Sequence, residues 1–196
     1  MRLALFDFDN TITNRDSFAD FVKFAVGSVH FYVGVVLIIP VMLAFVFRLM
    51  RATRAKEVMM AYFFGGWETA DFVAIASRYS RERIPLIVRD IARVKLRWHK
   101  EQGHDIAVVS ASLEPWLKNW CEGQGFELIA TKLDMDGGMI TGRFLTRSCS
   151  GKEKARRVRE RYDLSRYEYV YAYGDNAGDR AMLDLADEKY YRWRRV

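Results

Sequence analysis

The stretch that most constrains the fold is LALFDFDNTIT, residues 3–13, near the start of the chain. A short apolar run with strand character ends abruptly at two aspartates, Asp7 and Asp9. Because side chains along a strand alternate between its faces, these carboxylates are expected to point the same way and to repel each other. Burying even one unpaired carboxylate is unfavourable, so a pair requires a nearby cation or a shared proton. The stretch therefore predicts a buried strand that ends in a charged site.

Further along the chain, strand patterns alternate with helix patterns. Residues 106–109 and 126–131 and the run YEYVYAY read as buried strands, and helical patterns separate them. KLDMDGGMITGRF reads as a hairpin with its turn at the two glycines. This order predicts an α/β fold with a doubly wound parallel sheet. We expect residues 1–13 and 101–196 to form a Rossmann-like core, and residues 14–100 to form a helical cap inserted after the first strand.

Composition narrows the class of protein. A chain of 196 residues with 51% hydrophobic content suits one domain or a core with a modest insertion. The formal charge of +6 suggests anionic partners, although a solvated basic surface explains it equally well. No nucleic-acid partner is expected. Cys121 and Cys149 lack motif spacing, which favours a reduced, cytoplasmic setting. The early strand also leaves no room for a cleavable signal peptide.

Several polar residues follow predicted strands or open a predicted helix. Ligands of open α/β sheets bind at the carboxyl ends of the strands, so these residues are expected to share one rim. Hard oxygen ligands suit Mg²⁺, which commonly shares its site with substrate phosphate, and a lysine would neutralise further phosphate charge. The residues expected at this rim are Asp7, Asp9, Ser110, Lys152, Asp175 and Asp179.

Four segments of the chain resemble the ordered motifs of the haloacid dehalogenase superfamily. They are DFDNT, VVSAS, GKEKA and GDNAGDRAML, and together they span most of the chain. The helical insertion between the first two motifs resembles the phosphoserine-phosphatase-like branch, subfamily IB. Asn10 stands where the superfamily often has glycine, a mild departure because asparagine tolerates unusual backbone angles.

The resemblance implies a role for each residue. Asp7 would be the nucleophile that forms an aspartyl-phosphate, and Asp9 would be the general acid and base. Asp7, the backbone carbonyl of Asp9 and Asp175 would hold Mg²⁺. Ser110, the Ala111 amide and Lys152 would bind the phosphoryl group, and Asp179 would orient Lys152 or a water on the metal.

Alternative roles remain open for three residues. Lys154 competes with Lys152 for the phosphate-binding role, although the preceding Gly151 favours Lys152. Asp179 could cap the helix that follows it. Asp16 lies where serine-specific relatives carry a glutamate that recognises the substrate amine, so both substrate contact and helix capping are open, and phosphoserine specificity is in doubt.

The longest apolar stretch lies between Lys23 and Arg48, where 24 residues carry no formal charge. One membrane crossing would separate Asp7 from its partners, so the enzyme hypothesis excludes a simple transmembrane helix. Two alternatives remain. The stretch either forms the buried interior of the cap, bent near Gly34 or Pro40, or dips into one leaflet. The second alternative resembles phosphatidylglycerophosphate phosphatases, and would place Arg48, Arg51, Arg54 and Lys56 on lipid headgroups.

The sequence thus predicts a Mg²⁺-dependent phosphomonoesterase whose substrate is a small phosphate ester or a lipid phosphate. Its expected location is the cytoplasm, with peripheral contact between residues 24–56 and anionic lipid at the inner face of the membrane as an alternative. Two rival functions use fewer of the motifs. A receiver-like signalling domain leaves GDNAGD and Asp9 unexplained, and a catalytically silent anion- or membrane-binding scaffold leaves the acidic rim unexplained.

Overall fold

The computed structural model describes residues 1–47 and 49–196, so Arg48, the predicted basic end of the apolar stretch, lies outside the described residues. The strands are β1 (Arg2–Phe6), β2 (Asp105–Leu113), β3 (Glu127–Thr131), β4 (Leu133–Asp136), β5 (Met139–Phe144), β6 (Tyr169–Gly174), β7 (Glu188–Tyr191) and β8 (Arg194–Arg195). The helices are α1 (Ser17–Val26), α2 (Ser28–Leu37), α3 (Ile39–Val46), α4 (Ala52–Phe64), α5 (Thr69–Glu82), α6 (Ile84–Ile87), α7 (Asp90–Glu101), α8 (Glu114–Gln124), α9 (Lys152–Arg161) and α10 (Arg180–Leu183).

The central sheet has the strand order β3-β2-β1-β6-β7-β8. Its neighbouring strands are parallel except for β7 and β8, which pair antiparallel. β4 and β5 form a separate hairpin that turns at Gly137 and Gly138, as predicted. The α/β fold with a parallel central sheet is confirmed.

The register of the sheet brings the predicted motifs together. Phe6, the last residue of β1, pairs with Val108 on one side and Tyr173 on the other. Asp7 therefore lies one step beyond the pairing, level with the end of β6, whereas β2 continues beyond it. Parallel strands place their carboxyl ends at one edge, so Ser110 and Asp175 flank Asp7 there.

The helices α1–α7 lie between β1 and β2, and they share an apolar core with the rest of the chain. Phe21 of α1 stacks on Trp116 of α8 at a centroid distance of 4.5 Å, and it also packs edge-to-face on Tyr79 of α5. The apolar cluster is continuous through these contacts. The proposed boundaries between a core and a cap therefore stay a prediction.

The apolar stretch is mostly exposed, so its prediction as the buried interior of the cap is wrong. Among its described side chains, Ile38 is buried, whereas Val36 and Leu37 are 62% and 61% exposed. The helices break at Gly27 and at Ile38, two residues before Pro40, whereas α2 continues through Gly34. Exposed large apolar residues of this stretch are Val29, Tyr32, Val33, Val36, Leu37, Ile39, Met42, Leu43, Val46 and Phe47.

Gly34 lies inside α2, where it permits a close contact with α4. A Cβ atom at this position would approach the Phe63 ring to 2.4 Å and the Tyr62 ring to 2.9 Å. The absence of a side chain thus lets α2 pack directly on these aromatic rings, while the opposite face of α2 stays in solvent.

No one helix of the described residues has the length and apolar character to cross a membrane. α1 and α2 reach that length only as a pair, and the chain bends by 119° between them.

Candidate active site

The centre of the site is a buried lysine between two buried carboxylates. The Lys154 Nζ donates hydrogen bonds to Asp7 Oδ1 and to Asp179 Oδ1, the latter at 2.7 Å. Asp7 follows β1 directly, and its amide donates to the Tyr173 carbonyl at 2.9 Å, which continues the sheet pairing by one residue. Sheet and helix thus hold both charges of the Asp7–Lys154 pair in place.

The loop after β6 positions Asp175 and Asp179. The Asp179 Oδ2 accepts hydrogen bonds from the amides of Asp175 and Asn176 at 3.0 and 3.1 Å. Gly174 is required at this turn, because a Cβ atom there would lie 2.5 Å from the Asp179 side chain. Since Lys154 and the backbone amides use both oxygens of Asp179, this residue orients Lys154 and the loop.

The charges of this centre do not balance. Two buried carboxylates face one ammonium group, and Asp175 adds a third carboxylate. Burial raises the pKa of Asp7 to about 7; the positive charge of Lys154 opposes this rise, and the negative charge of Asp179 adds to it. A bound cation would lower this pKa by favouring the ionised carboxylate.

The residues present fit a divalent cation. Carboxylate oxygens of Asp7, Asp175 and Asp179 lie within 4.8 Å of one another. The Asp7 Oδ2 is buried and has no hydrogen-bond partner among the described residues. An orphaned carboxylate oxygen next to further carboxylates offers the hard ligands that Mg²⁺ prefers. Because both oxygens of Asp179 are engaged, Asp7 and Asp175 are the residues free to hold the ion.

Asp9 lies on the side of the site that faces the helices α1–α7. Its Oδ1 accepts from the Ser17 amide at 2.7 Å, and its Oδ2 accepts from the Ser112 hydroxyl. Burial raises the pKa of Asp9, and the negative charge of Asp16 raises it further. The side chain is therefore fixed in position and biased toward the protonated form, which suits a general acid.

Sequence reasoning missed Ser17 and Ser112, which join Asp9 to the helices around it. The two hydroxyls are 3.0 Å apart, and Trp116 Nε1 donates to the Ser17 hydroxyl at 3.3 Å. Ser112 belongs to the VVSAS motif already quoted, but its direction depends on the irregular pairing of β2 with β3 between Ser110 and Leu113. No local sequence signal marks that irregularity.

Ser110 and Ala111 lie next to Asp7, on β2. The Ser110 hydroxyl is buried and accepts from the Ser112 amide at 3.0 Å. The Ala111 carbonyl accepts from the Thr131 hydroxyl at 3.0 Å, which anchors the end of the strand. β2 extends to Leu113, beyond the predicted residues 106–109, so both groups are held by the sheet.

The assignment of the phosphate-binding lysine to Lys152 requires correction. Lys154 is buried against Asp7, whereas Lys152 is exposed and lines a separate cleft. The physical reason is helical phase. Successive residues of an α-helix turn by about 100°, so side chains two positions apart point about 200° apart and only one of them can face the site. The glycine signal at Gly151 marks the start of α9 but does not determine its rotation about its axis.

Asp16 is engaged as a helix cap. Its Oδ1 accepts from the amides of Phe18 and Ala19 at 2.9 and 3.1 Å, at the start of α1. Substrate contact at Asp16 stays a prediction. The alternative that Asp179 caps α10 is wrong, because its side chain makes no capping hydrogen bond to that helix. Asp179 instead closes a capping box with Asn176 at the preceding turn while it also binds Lys154.

Sequence comparisons identify relatives of this chain. The family model for haloacid dehalogenase-like hydrolases matches residues 4–184. Protein CicA of Caulobacter vibrioides is 33% identical over 192 residues, which cover 97% of this chain and 85% of CicA. A phosphoserine phosphatase of Archaeoglobus fulgidus is 32% identical over 114 residues, covering 53% of this chain and 33% of that protein.

Solved structures share the fold. A protein of unknown function from Bordetella pertussis Tohama I is similar with a TM-score of 0.83 at 23% identity, over 97% of this chain and 89% of that one. A phospho-aspartyl intermediate analogue of phosphoserine phosphatase has a TM-score of 0.67 at 17% identity, over 96% and 85% of the two chains. With the family model matching most of its length, this chain belongs to the haloacid dehalogenase-like hydrolases.

Proposed function

We propose that the protein is a Mg²⁺-dependent phosphomonoesterase that works through an aspartyl-phosphate on Asp7. The observation that carries this proposal is the buried contact of Lys154 with Asp7 and Asp179, beside the unpartnered Asp7 Oδ2 and the carboxylate of Asp175. An ion pair buried to this degree contributes little to folding stability, because desolvation offsets most of its electrostatic attraction. It is well suited to holding a nucleophile beside a fixed positive charge.

The chemistry follows from the positions of the side chains. An Asp7 oxygen attacks phosphorus while the bond from phosphorus to the ester oxygen breaks, and Asp9 gives its proton to the leaving alkoxide. Asp9 then takes a proton from water as that water attacks phosphorus, and the bond to Asp7 breaks to release inorganic phosphate. Lys154 and Ser110 would stabilise charge on the phosphoryl oxygens. Bound Mg²⁺ would neutralise further phosphate charge; Asp7, Asp175 and the Asp9 carbonyl would hold it.

Hydrolysis of p-nitrophenyl phosphate tests the proposal. We expect Mg²⁺-dependent release of phosphate that EDTA abolishes and that Asp7→Asn reduces by at least 10³-fold, because the amide is a poor nucleophile. The matched control is Asp71→Asn, which removes an exposed carboxylate on α5 and leaves turnover as in the wild type. We expect Asp9→Asn to accumulate a hydroxylamine-labile phosphate on Asp7. Equal turnover by wild type and Asp7→Asn would contradict the mechanism.

We also propose that the exposed apolar face of α2 and α3 contacts an anionic membrane at its cytoplasmic side, which would make lipid phosphates accessible as substrates. Exposed apolar surface of this extent is unusual for a freely soluble protein, and side chains such as Val36, Leu37 and Leu43 project from it. Arg51 and Arg54 are exposed just beyond this face, in keeping with headgroup contact. Lys56 is half-buried, with its ammonium group 5.5 Å from the Phe18 ring centroid, so it faces the protein.

Co-sedimentation with phosphatidylserine-containing vesicles tests this contact. Leu37→Asp should reduce the vesicle partition coefficient at least tenfold, since full burial of a leucine side chain contributes roughly 1.5–3 kcal/mol. Leu86→Asp is the matched control, because Leu86 is 70% exposed on α6, away from this face. Substitution of Ile38 does not discriminate, since that side chain is buried and its loss perturbs packing. Equal sedimentation of both variants with wild type would contradict membrane contact.

A further inference from the structure

A large cleft opens beside the proposed active site. Its volume is about 850 Å³, and its walls come from the start of α4, the Ala111 segment of β2, and the loop and first turns of α9. Ala111 belongs both to this cleft and to the phosphate-binding segment next to Asp7. The lining residues are Arg51, Ala52, Thr53, Lys56, Ala111, Arg147, Ser148, Ser150, Lys152, Glu153 and Arg156.

The cleft carries an excess of positive charge. Its one carboxylate belongs to Glu153, which already pairs with Arg156 at 2.6 Å and with Arg157 at 2.8 Å. Within the part of the chain that the structure describes, no carboxylate forms an ion pair with the other four cationic side chains. These are Arg51, Lys56, Arg147 and Lys152.

Two helices also begin at this cleft. α4 starts after Arg51 and α9 starts after Gly151, and neither N-cap residue accepts a hydrogen bond with its side chain. The first-turn amides of a helix lack intrahelical partners, and the N-terminal end carries a partial positive charge. Helices of 13 and 10 residues therefore add their positive ends to the unpaired cations.

Two helices connect this charge with the site around Asp7. On α9, Lys154 points into the active site, and Lys152, two residues earlier, lines the cleft. The first turn of α9 therefore borders both the active site and the cleft. On α4, the Lys56 ammonium group approaches the ring of Phe18, whose neighbour Ser17 donates to Asp9. The cleft thus borders the side of the site on which Asp9 lies.

We propose that this cleft binds a second phosphate group of the substrate, so that the preferred substrate carries a further phosphate monoester or diester besides the phosphate that is hydrolysed. This inference rests on the proposed phosphatase function, because it assigns the leaving-group side of that site. Phosphate is the anion that matches several cationic side chains together with helix N-termini. The chemistry is the same in a soluble bisphosphate and in a phospholipid headgroup.

Binding to the Mg²⁺-loaded protein tests the inference without turnover. Calorimetry would compare propylphosphonate with a series of alkane bisphosphonates of increasing spacer length. At least one bisphosphonate should bind tenfold or more tightly than the monophosphonate. Arg147→Gln and Lys152→Gln should each reduce this preference by about tenfold, the loss expected for one charge-assisted contact. Arg159→Gln, an exposed position of α9 outside the cleft, should leave the preference intact.

The outcomes separate the two proposals. Hydrolysis of p-nitrophenyl phosphate by wild type with no preference for any bisphosphonate would overturn the second phosphate site and leave the phosphatase function standing. Absence of all Mg²⁺-dependent phosphatase activity would refute the proposed function, whereas the calorimetric preference would still decide the cleft. If Arg147→Gln and Lys152→Gln weaken only vesicle binding, the cleft is a headgroup surface and the inference is wrong.

Discussion

Replacement of Lys154 by methionine separates the active-site lysine from its neighbour on α9. Lys154 is about 2% exposed and contacts both Asp7 and Asp179. Methionine fills similar volume but carries no charge, so Lys154→Met leaves two buried carboxylates without their counter-ion. Removing one partner of a buried pair costs about 3–5 kcal/mol of folding free energy. In turnover, loss of a charged donor to the transition state costs about 2.7–4 kcal/mol, or roughly 10²–10³-fold in kcat.

The measurements are urea unfolding and hydrolysis of p-nitrophenyl phosphate at saturating Mg²⁺. Lys152→Met is the matched comparison: as an exposed substitution it should change the free energy of unfolding by less than about 0.5 kcal/mol. Its loss of kcat should be at least tenfold smaller than that of Lys154→Met. Mg²⁺ should raise the unfolding midpoint of Lys154→Met more than that of wild type, because the ion compensates the stranded carboxylates.

The assignment of Lys154 fails under a specific result. If Lys154→Met keeps kcat within about threefold of wild type while Lys152→Met loses activity, the buried contact is structural and the original assignment to Lys152 is right. A folded Lys154→Met protein with unchanged stability would equally refute the energetic argument, because two buried carboxylates cannot lose their counter-ion at no cost.

Three further perturbations have defined outcomes. Burial, aided by a neighbouring histidine, lowers the pKa of His99 from 6.5 to about 3. The free energy of unfolding should therefore fall as the pH drops from 6.5 to about 3, by up to about 1.4 kcal/mol per pH unit. Urea unfolding at several pH values should show a less steep fall in His99→Gln. Gly34→Ala should lower the unfolding free energy by about 1–3 kcal/mol, because its Cβ clashes with Phe63. Gly123→Ala has open space around its Cβ and should raise the unfolding free energy by up to about 1 kcal/mol. Equal shifts in the two variants would contradict the packing argument. Asp16→Ala should cost about 1 kcal/mol through the lost cap, with KM unchanged for both p-nitrophenyl phosphate and phosphoserine. A large rise in KM for phosphoserine alone would support the substrate-contact alternative, because only that ester carries an amine.

Most of the acidic centre could be predicted because each motif stands at a strand end. An apolar run that stops at charged residues identifies both the strand and its carboxyl edge, so Asp7 and Asp175 needed only the parallel order of the sheet to meet. Lys154 could not be separated from Lys152 in this way. Its position depends on the rotation of α9 against the sheet, which many packing contacts outside the motif set.

The exposure of the apolar stretch could not be predicted from the sequence either. Hydrophobicity identified residues 24–47 as unusual but could not tell a buried cap from an exposed face, because apolar composition alone is common to both. The structure separates Ile38, which packs inside, from Leu37, which faces solvent. Leu37 is the last residue of α2 and Ile38 lies at the break before α3, so their side chains point in different directions. The docking of α2 on α4 through Gly34 selects which of them is covered.

By itself, the sequence determined the α/β class, the order of the motifs and the acidic residues that the strands carry to one edge, since these follow from local periodicity and strand direction. Only the tertiary structure decided which lysine enters the centre, which serines hold Asp9, and which side of the apolar helices remains in solvent. The physical reason is that these outcomes depend on rotations and packing angles of whole elements, and such angles are set by contacts between residues far apart in the chain.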